Sequence, residues 1–182
     1  MARIPYFDPA TATGRAAEAY EKLPALNIFR MMGHGGDLIE SFSKMGAYLL
    51  NFTSLDPILR EIAIVRVGVL SSAGYEIYQH ERISRRIGMS DEVIAGIHEG
   101  PSAAVFDDAQ REVMAFTDDV VANVRASDAT FEAVRKRLGD RALQELTMTV
   151  GYYMMVSRYL ETFNVDIEEG EAPVVSVLGD PK

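Results

Sequence analysis

The residues best placed to do chemistry are a carboxylate and an imidazole one helical turn apart, Glu76 and His80. A second carboxylate, Glu61, lies nineteen positions before the histidine. Side chains at i and i+4 stack on one helix face. A carboxylate there orients the imidazole, selects its tautomer and raises its pKa, which suits a general acid or base near neutral pH. The same spacing also serves an ordinary surface ion pair, worth roughly 0.2–0.5 kcal/mol. Ile77, Ile83 and Ile87 recur at helical spacing around His80, while Ser84, Arg85 and Arg86 limit that stripe. The pattern therefore sets His80 at the edge of a core rather than on the solvent face. Glu61 borders the apolar face of Ile62, Val65 and Val69; taken alone, it reads as a first-turn acid favoured by the helix dipole.

Other candidates surround this frame. Arg66 sits among apolar neighbours in Ile64-Val-Arg-Val-Gly-Val69 and needs a carboxylate or a ligand anion. A structural pair with an acid on another helix and a substrate clamp both satisfy that need. Tyr75 and Tyr78 flank Glu76, and a phenol there suits holding an oxyanion. His34 lies in a Gly-flanked loop fit to form part of a pocket wall, and His98 complements a helix C-terminus. The Tyr152-Tyr153-Met154-Met155 run reads as helix core or subunit interface. Gly-x-Ser-x-Gly, P-loop, dinucleotide and His-Glu-x-x-His motifs are absent, and three scattered histidines fall short of a metal set.

Composition narrows the field further. A chain of 182 residues with 48% hydrophobic and 25% charged residues fits one globular domain, 1–182, with 1–12 and 166–182 expected to be peripheral. A net charge of −9 without a basic patch argues against nucleic acid. The longest apolar run, Ile62 to Leu70, is too short for a bilayer and is interrupted by Arg66, so no membrane partner is expected. The N-terminus has no secretory pattern, and the chain has no cysteine; the cytoplasm is the expected location.

The elements that must position these residues are helical. Thr13 is the expected N-cap of a first helix, Gly14 to Lys22, and a short turn of helix, 27–32, is expected before the glycines at 33, 35 and 36. Leu38, Phe42, Met45 and Leu49 recur at helical spacing, widened by Ile39. Asp56-Pro57 opens a helix to about Ser72, and another runs from Tyr75 to about Ile87. Ser90, Asp107 and Ser127 open three more, the last ending at Gly139. A final helix from Arg141 to about Asn164 is apolar on most sides and expected to be deeply packed. An acidic, aperiodic tail follows, whose one strand-like stretch is Pro173 to Leu178. The fold class is all-α.

Glu61, the Leu-Arg-Glu-Ile-Ala-Ile-Val-Arg-Val run, Tyr75-Glu76, His80 and Arg85-Arg-Ile-Gly-Met-Ser-Asp-Glu together resemble the carboxymuconolactone decarboxylase / alkyl hydroperoxidase D family. In its redox members the corresponding Glu is followed by Cys-x-x-Cys and then His. Here those cysteine positions fall on Ala73 and Glu76, so the usual thiol peroxidase route has no thiolate to start from. The resemblance implies an alkyl hydroperoxidase D-like helical bundle with a central helical hairpin, assembled as a homo-oligomer, often a trimer or hexamer. It further implies a cofactor-independent lyase acting on a small organic acid or lactone, a decarboxylase above all. His80, Glu76, Glu61 and Tyr75 form the expected catalytic set, with Arg66 and His34 as candidate substrate contacts. A non-catalytic helical oligomer or ligand-binding relative is the alternative. The two apolar stripes of the last helix, Leu146/Val150/Met154/Ser157 and Met148/Tyr152/Met155/Tyr159, point independently to a subunit interface.

Overall fold

A computed structural model of the chain describes residues 1–170 and 173–177. Among these it has eight α-helices and no strand: α1 Gly14–Tyr20, α2 Asn27–Met32, α3 Leu38–Asn51, α4 Pro57–Leu70, α5 Gly74–Arg86, α6 Asp91–Glu99, α7 Asp108–Asn123 and α8 Asp128–Phe163. The all-α reading holds. The stretch from Pro173 to Val177 is extended coil, and Leu178 lies outside the described residues.

α4 is the axis of the fold, packed on α5, α6, α7 and α8. Every residue from Leu59 to Gly68 is buried, including Arg60, Glu61 and Arg66. A helix apolar almost all round belongs at a centre, and its three ionised side chains must find partners there. Its start is well specified: Asp56 Oδ1 accepts from the Ile58 and Leu59 N–H groups, at 2.9 and 3.1 Å, and Pro57 occupies the first turn. The helix stops at Leu70, and Ser72 takes a left-handed φ of 53° that turns the chain back into α5. Gly68 permits the tight α4/α5 approach, since a Cβ there would stand 3.1 Å from Ile77 Cγ1. The resulting hairpin sets Glu61 opposite His80.

α6, α7 and α8 start as their sequences demand. Ser90, Asp107 and Ser127 cap them, and Asp107 forms a capping box with Gln110. Gly139, at φ 78° and ψ 169°, breaks α8 where the sequence divides it, and the two parts run on as one kinked element. The second part is less deeply packed than expected. Leu146, Val150, Tyr153 and Leu160 are buried, but Met148 and Met155 are each 50% exposed. On α3, Leu38 and Met45 are likewise exposed, as is Phe52 just past its end, while Ile39, Leu49 and Leu50 enter the core.

The tail, expected to be peripheral, packs on the body. Val165 and Val177 are buried, Asn27 Nδ2 donates to the Asp166 carbonyl at 2.9 Å, and Arg86 donates to the Val175 carbonyl at 2.7 Å. The N-terminal segment is tied to it, since the Ala2 N–H donates to Asp166 Oδ2 at 2.8 Å.

Candidate active site

At the α4/α5 crossing four charged side chains form a chain of contacts. Arg60 and Glu61 have no exposed surface. Arg60 Nη1 donates to the Leu50 carbonyl at 2.8 Å, and its Nε donates to Glu61 Oε1 at 2.9 Å. Glu61 Oε2 lies 2.7 Å from His80 Nδ1. On the other side of the ring, His80 Nε2 stands 3.1 Å from Glu76 Oε1. That last contact is an ion pair without hydrogen-bond alignment, so Glu76 Oε1 is buried with no hydrogen-bond partner. The Tyr153 ring meets the imidazole edge-on, with centroids 4.9 Å apart, and fixes its plane.

These contacts set the protonation states. Burial works against an imidazolium at His80, but the carboxylates of Glu61 and Glu76 outweigh it and push the pKa up to about 9. Burial also disfavours the Glu61 carboxylate, and His80 with Arg60 overcomes this, holding it below the usual range. At neutral pH the group is therefore Arg60⁺, Glu61⁻ and His80⁺, with the Nδ1 proton committed to Glu61 and the Nε2 proton turned towards Glu76. The imidazole stands between its two carboxylates, so these side chains do not converge on one point. Among the described residues no group of three His, Asp or Glu side chains is arranged to hold a metal.

Glu76 and His80 line a cavity of about 520 Å³. Its walls are mostly apolar, from Leu50, Phe29, Ile83 and Val156, and residues 174–176 of the tail close one side. Tyr152 also faces it, its hydroxyl donating to the Phe42 carbonyl at 2.9 Å. A mostly apolar cavity with a few polar side chains in its wall is the usual form of a small-molecule site.

The other expected site residues lie elsewhere or are otherwise engaged. Arg66 is a structural cation: Nε and Nη2 grip Asp118 of α7 at 2.6 and 2.9 Å, and Nη1 donates to the Ile97 carbonyl at 2.9 Å. It faces α7, away from the cavity, because a guanidinium in that apolar run needs a carboxylate on the neighbouring helix. His34 is exposed and contacts the Pro5 carbonyl through Nε2 at 2.7 Å; it lines a separate pocket with Phe7, Thr13 and Asp37, not the cavity of Glu76 and His80. Tyr75 does line the cavity, but its hydroxyl donates to Glu168 of the tail at 2.5 Å and so is not free for an oxyanion. His98 pairs with Glu81 at 2.8 Å.

Sequence reasoning missed Arg60, Gln79, Tyr153 and Glu168. Arg60 precedes Glu61 directly, and adjacent residues do not share a helix face, so spacing gave no cue. Tyr153 read as core, which it also is. Glu168 lies in an aperiodic tail that carries no signal of what it covers.

With this geometry in hand, the likenesses to known proteins can be placed. Residues 36–119, from the approach to α3 through most of α7, match the model of the carboxymuconolactone decarboxylase family. No functionally curated protein matches the chain in sequence. A similar solved structure is an uncharacterized peroxidase-related protein from Ralstonia eutropha JMP134, described as an alkylhydroperoxidase AhpD core. It is 18% identical with TM-score 0.78, over 92% of this chain and 93% of that one. A peroxidase-related protein from Silicibacter sp. TM1040 is 18% identical with TM-score 0.74, over 84% and 82% of the two chains. The debrominase Bmp8, solved in complex with 2,3,4-tribromopyrrole, is 16% identical with TM-score 0.70, over 84% and 81%. At such identities the likeness shows the fold alone.

Proposed function

We propose that this chain, whose residues 36–119 match the carboxymuconolactone decarboxylase family, is an acid/base enzyme, most nearly a decarboxylase or related lyase of a small organic acid or lactone. The observation that carries the reading is the buried Glu61–His80–Glu76 relay at the wall of a cavity, with Glu76 Oε1 ion-paired to His80 Nε2 at 3.1 Å but making no hydrogen bond. Leaving a carboxylate oxygen unsatisfied costs stability, and such a cost is commonly retained where the atom acts on a substrate.

The chemistry follows from the protonation states. When a carboxylactone loses carbon dioxide, the bonding electron pair stays on carbon and delocalises onto the lactone oxygen as an enolate. Collapse of the enolate needs one proton at carbon. His80 supplies it from Nε2, directly or through Glu76 Oε1 at 3.1 Å, while Glu61 keeps the Nδ1 proton in place and steadies the charge. The neutral imidazole, with its raised pKa, then recovers a proton from solvent. Glu76 run in the opposite sense is a base for removing a proton from carbon, so isomerisation is within reach of the same pair.

We further read the chain as a homo-oligomer. Leu38 and Met45 lie two turns apart on α3, with Phe52 just past its end, and Met148 and Met155 lie two turns apart on α8. All five are substantially exposed in the single chain, and such a surface favours cover by a second subunit.

A panel of carboxylactones assayed for carbon dioxide release tests the function. The expected result is turnover of at least one member that falls by about 10²-fold or more in Glu76→Gln and His80→Ala, the usual scale for a lost general acid or base. Turnover unchanged in both variants refutes the assignment.

A further inference from the structure

α5 presents a second polar row to the cavity, one position round from the acid/base pair. Tyr75 and Gln79, at i and i+4, both point at a carboxylate that the chain supplies itself. Tyr75 Oη donates to Glu168 Oε1 at 2.5 Å, and Gln79 Nε2 donates to Oε2 at 2.7 Å. The backbone N–H of Asn27 donates to Oε1 at 2.7 Å. The two oxygens are thus held by three neutral donors arranged for the planar fork of a carboxylate.

The donors are built in. Tyr75 and Gln79 are 4% and 7% exposed. Burial, and then the neighbouring Glu168 charge, keep the Tyr75 phenol far above its ordinary pKa, so it is always a donor. Arg82 Nη1 donates to Gln79 Oε1 at 3.3 Å and turns the amide nitrogen towards the seat. Without an acceptor, the buried hydroxyl and amide would lose their partners, and each such loss is costly.

The occupant is more exposed than the seat. Glu168 is only half-buried and belongs to the aperiodic tail, whose Val174 and Val175 form a wall of the same cavity. The seat is close to the chemistry, because Gln79 follows Glu76 by three residues, a spacing of roughly 5–6 Å between Cβ atoms on a helix. An incoming carboxylate would replace the Glu168 carboxylate there, one charge for one.

We propose that Asn27, Tyr75 and Gln79 form a carboxylate seat, that Glu168 is its internal occupant, and that a carboxylate-bearing ligand of the cavity displaces it. This rests on reading the cavity as the substrate site. A carboxylate held by three donors is stabilised against leaving, so the group seated there is one that the reaction keeps. The tail then acts as a competitor that must be moved before a substrate is fully bound.

Calorimetric titration with benzoate, and with benzamide as its neutral counterpart, tests the seat without any turnover. Removing a tethered competitor of millimolar effective concentration should tighten benzoate binding by about tenfold or more in Glu168→Ala. Benzamide should not gain, and the benzoate gain should vanish when Gln79→Leu or Tyr75→Phe is added. Equal affinity of the parent and Glu168→Ala for benzoate overturns the proposal. So does an equal gain for benzamide, or a gain that survives both added substitutions. Repeating the titration in a Glu76→Gln background separates the two readings. A benzoate gain retained there supports the seat independently of turnover. If the gain is lost there, the carboxylate is being read by the acid/base pair, and the seat is wrong.

Discussion

Replacing His80 and Glu76 together by glutamine removes the imidazolium and its outer carboxylate while keeping side chains of similar size and polarity. Glu61 remains neutralised by Arg60, so no unpaired charge is created. The folded pKa of about 9 stands above the roughly 6.5 of a free histidine. A raised histidine pKa contributes stability that is fully present below pH 6.5 and is lost as pH rises through 9. At about 1.4 kcal/mol for each pKa unit, the contribution is roughly 3 kcal/mol. For a domain of this size, each kcal/mol moves the melting temperature by about 2–4 °C. The parent protein should therefore lose roughly 3 kcal/mol relative to the double variant between pH 6.5 and 9, read by urea denaturation at intervals across that window. Proton NMR should show one of the three histidine Cε1–H resonances titrating near pH 9 in the parent and missing from the variant. Parallel stability curves in the two proteins would refute the account of the relay. Activity should follow the same ionisation, with kcat/KM falling above about pH 9 as the proton donor is lost.

Glu61→Gln should destabilise by about 3–5 kcal/mol, because it breaks the buried pairs that Glu61 makes with Arg60 and His80, read in the same urea titration. Met148→Glu with Met155→Glu should convert a sedimenting oligomer into the 20.1 kDa monomer while leaving the helical circular dichroism intact, and a parent already monomeric at micromolar concentration would refute the subunit reading.

The sequence is most readable where local rules govern. Asp56-Pro57, Ser90, Asp107 and Ser127 announce helix starts through side-chain oxygens placed to meet free N–H groups, and each does so in the structure. The Glu76/His80 spacing put the two side chains on one face, but whether that face was wet or buried depended on Tyr153 of α8, seventy-three residues away in the chain. Arg66 shows the limit from the other side. Its apolar surroundings demanded an anion, yet nothing local distinguished Asp118 from a ligand. The tail carried no periodicity to read, because its role is set by where three donors from α2 and α5 happen to converge. On α3, the stripe of Leu38, Phe42, Met45 and Leu49, widened by Ile39, divides: Ile39 and Leu49 enter the core together with Leu50, while Leu38 and Met45 stay exposed.

The exchange of sulfur for carboxylate at position 76 reverses the demand made on the histidine. In the redox arrangement that the sequence resembles, an imidazole beside a thiol is useful as a base, since the thiolate is the nucleophile and its proton must go elsewhere. Such a base needs a pKa near or below neutrality. Here the ring stands between Glu61 and Glu76, and both carboxylates push its pKa in the same direction, to about 9. At neutral pH it already holds both protons and has one to give. Ala73, at the other cysteine position, is fully buried and offers no group at all. On the proposed function, the Glu61–His80 frame is kept while the direction of proton flow is inverted, which suits protonating a carbanion rather than activating a nucleophile.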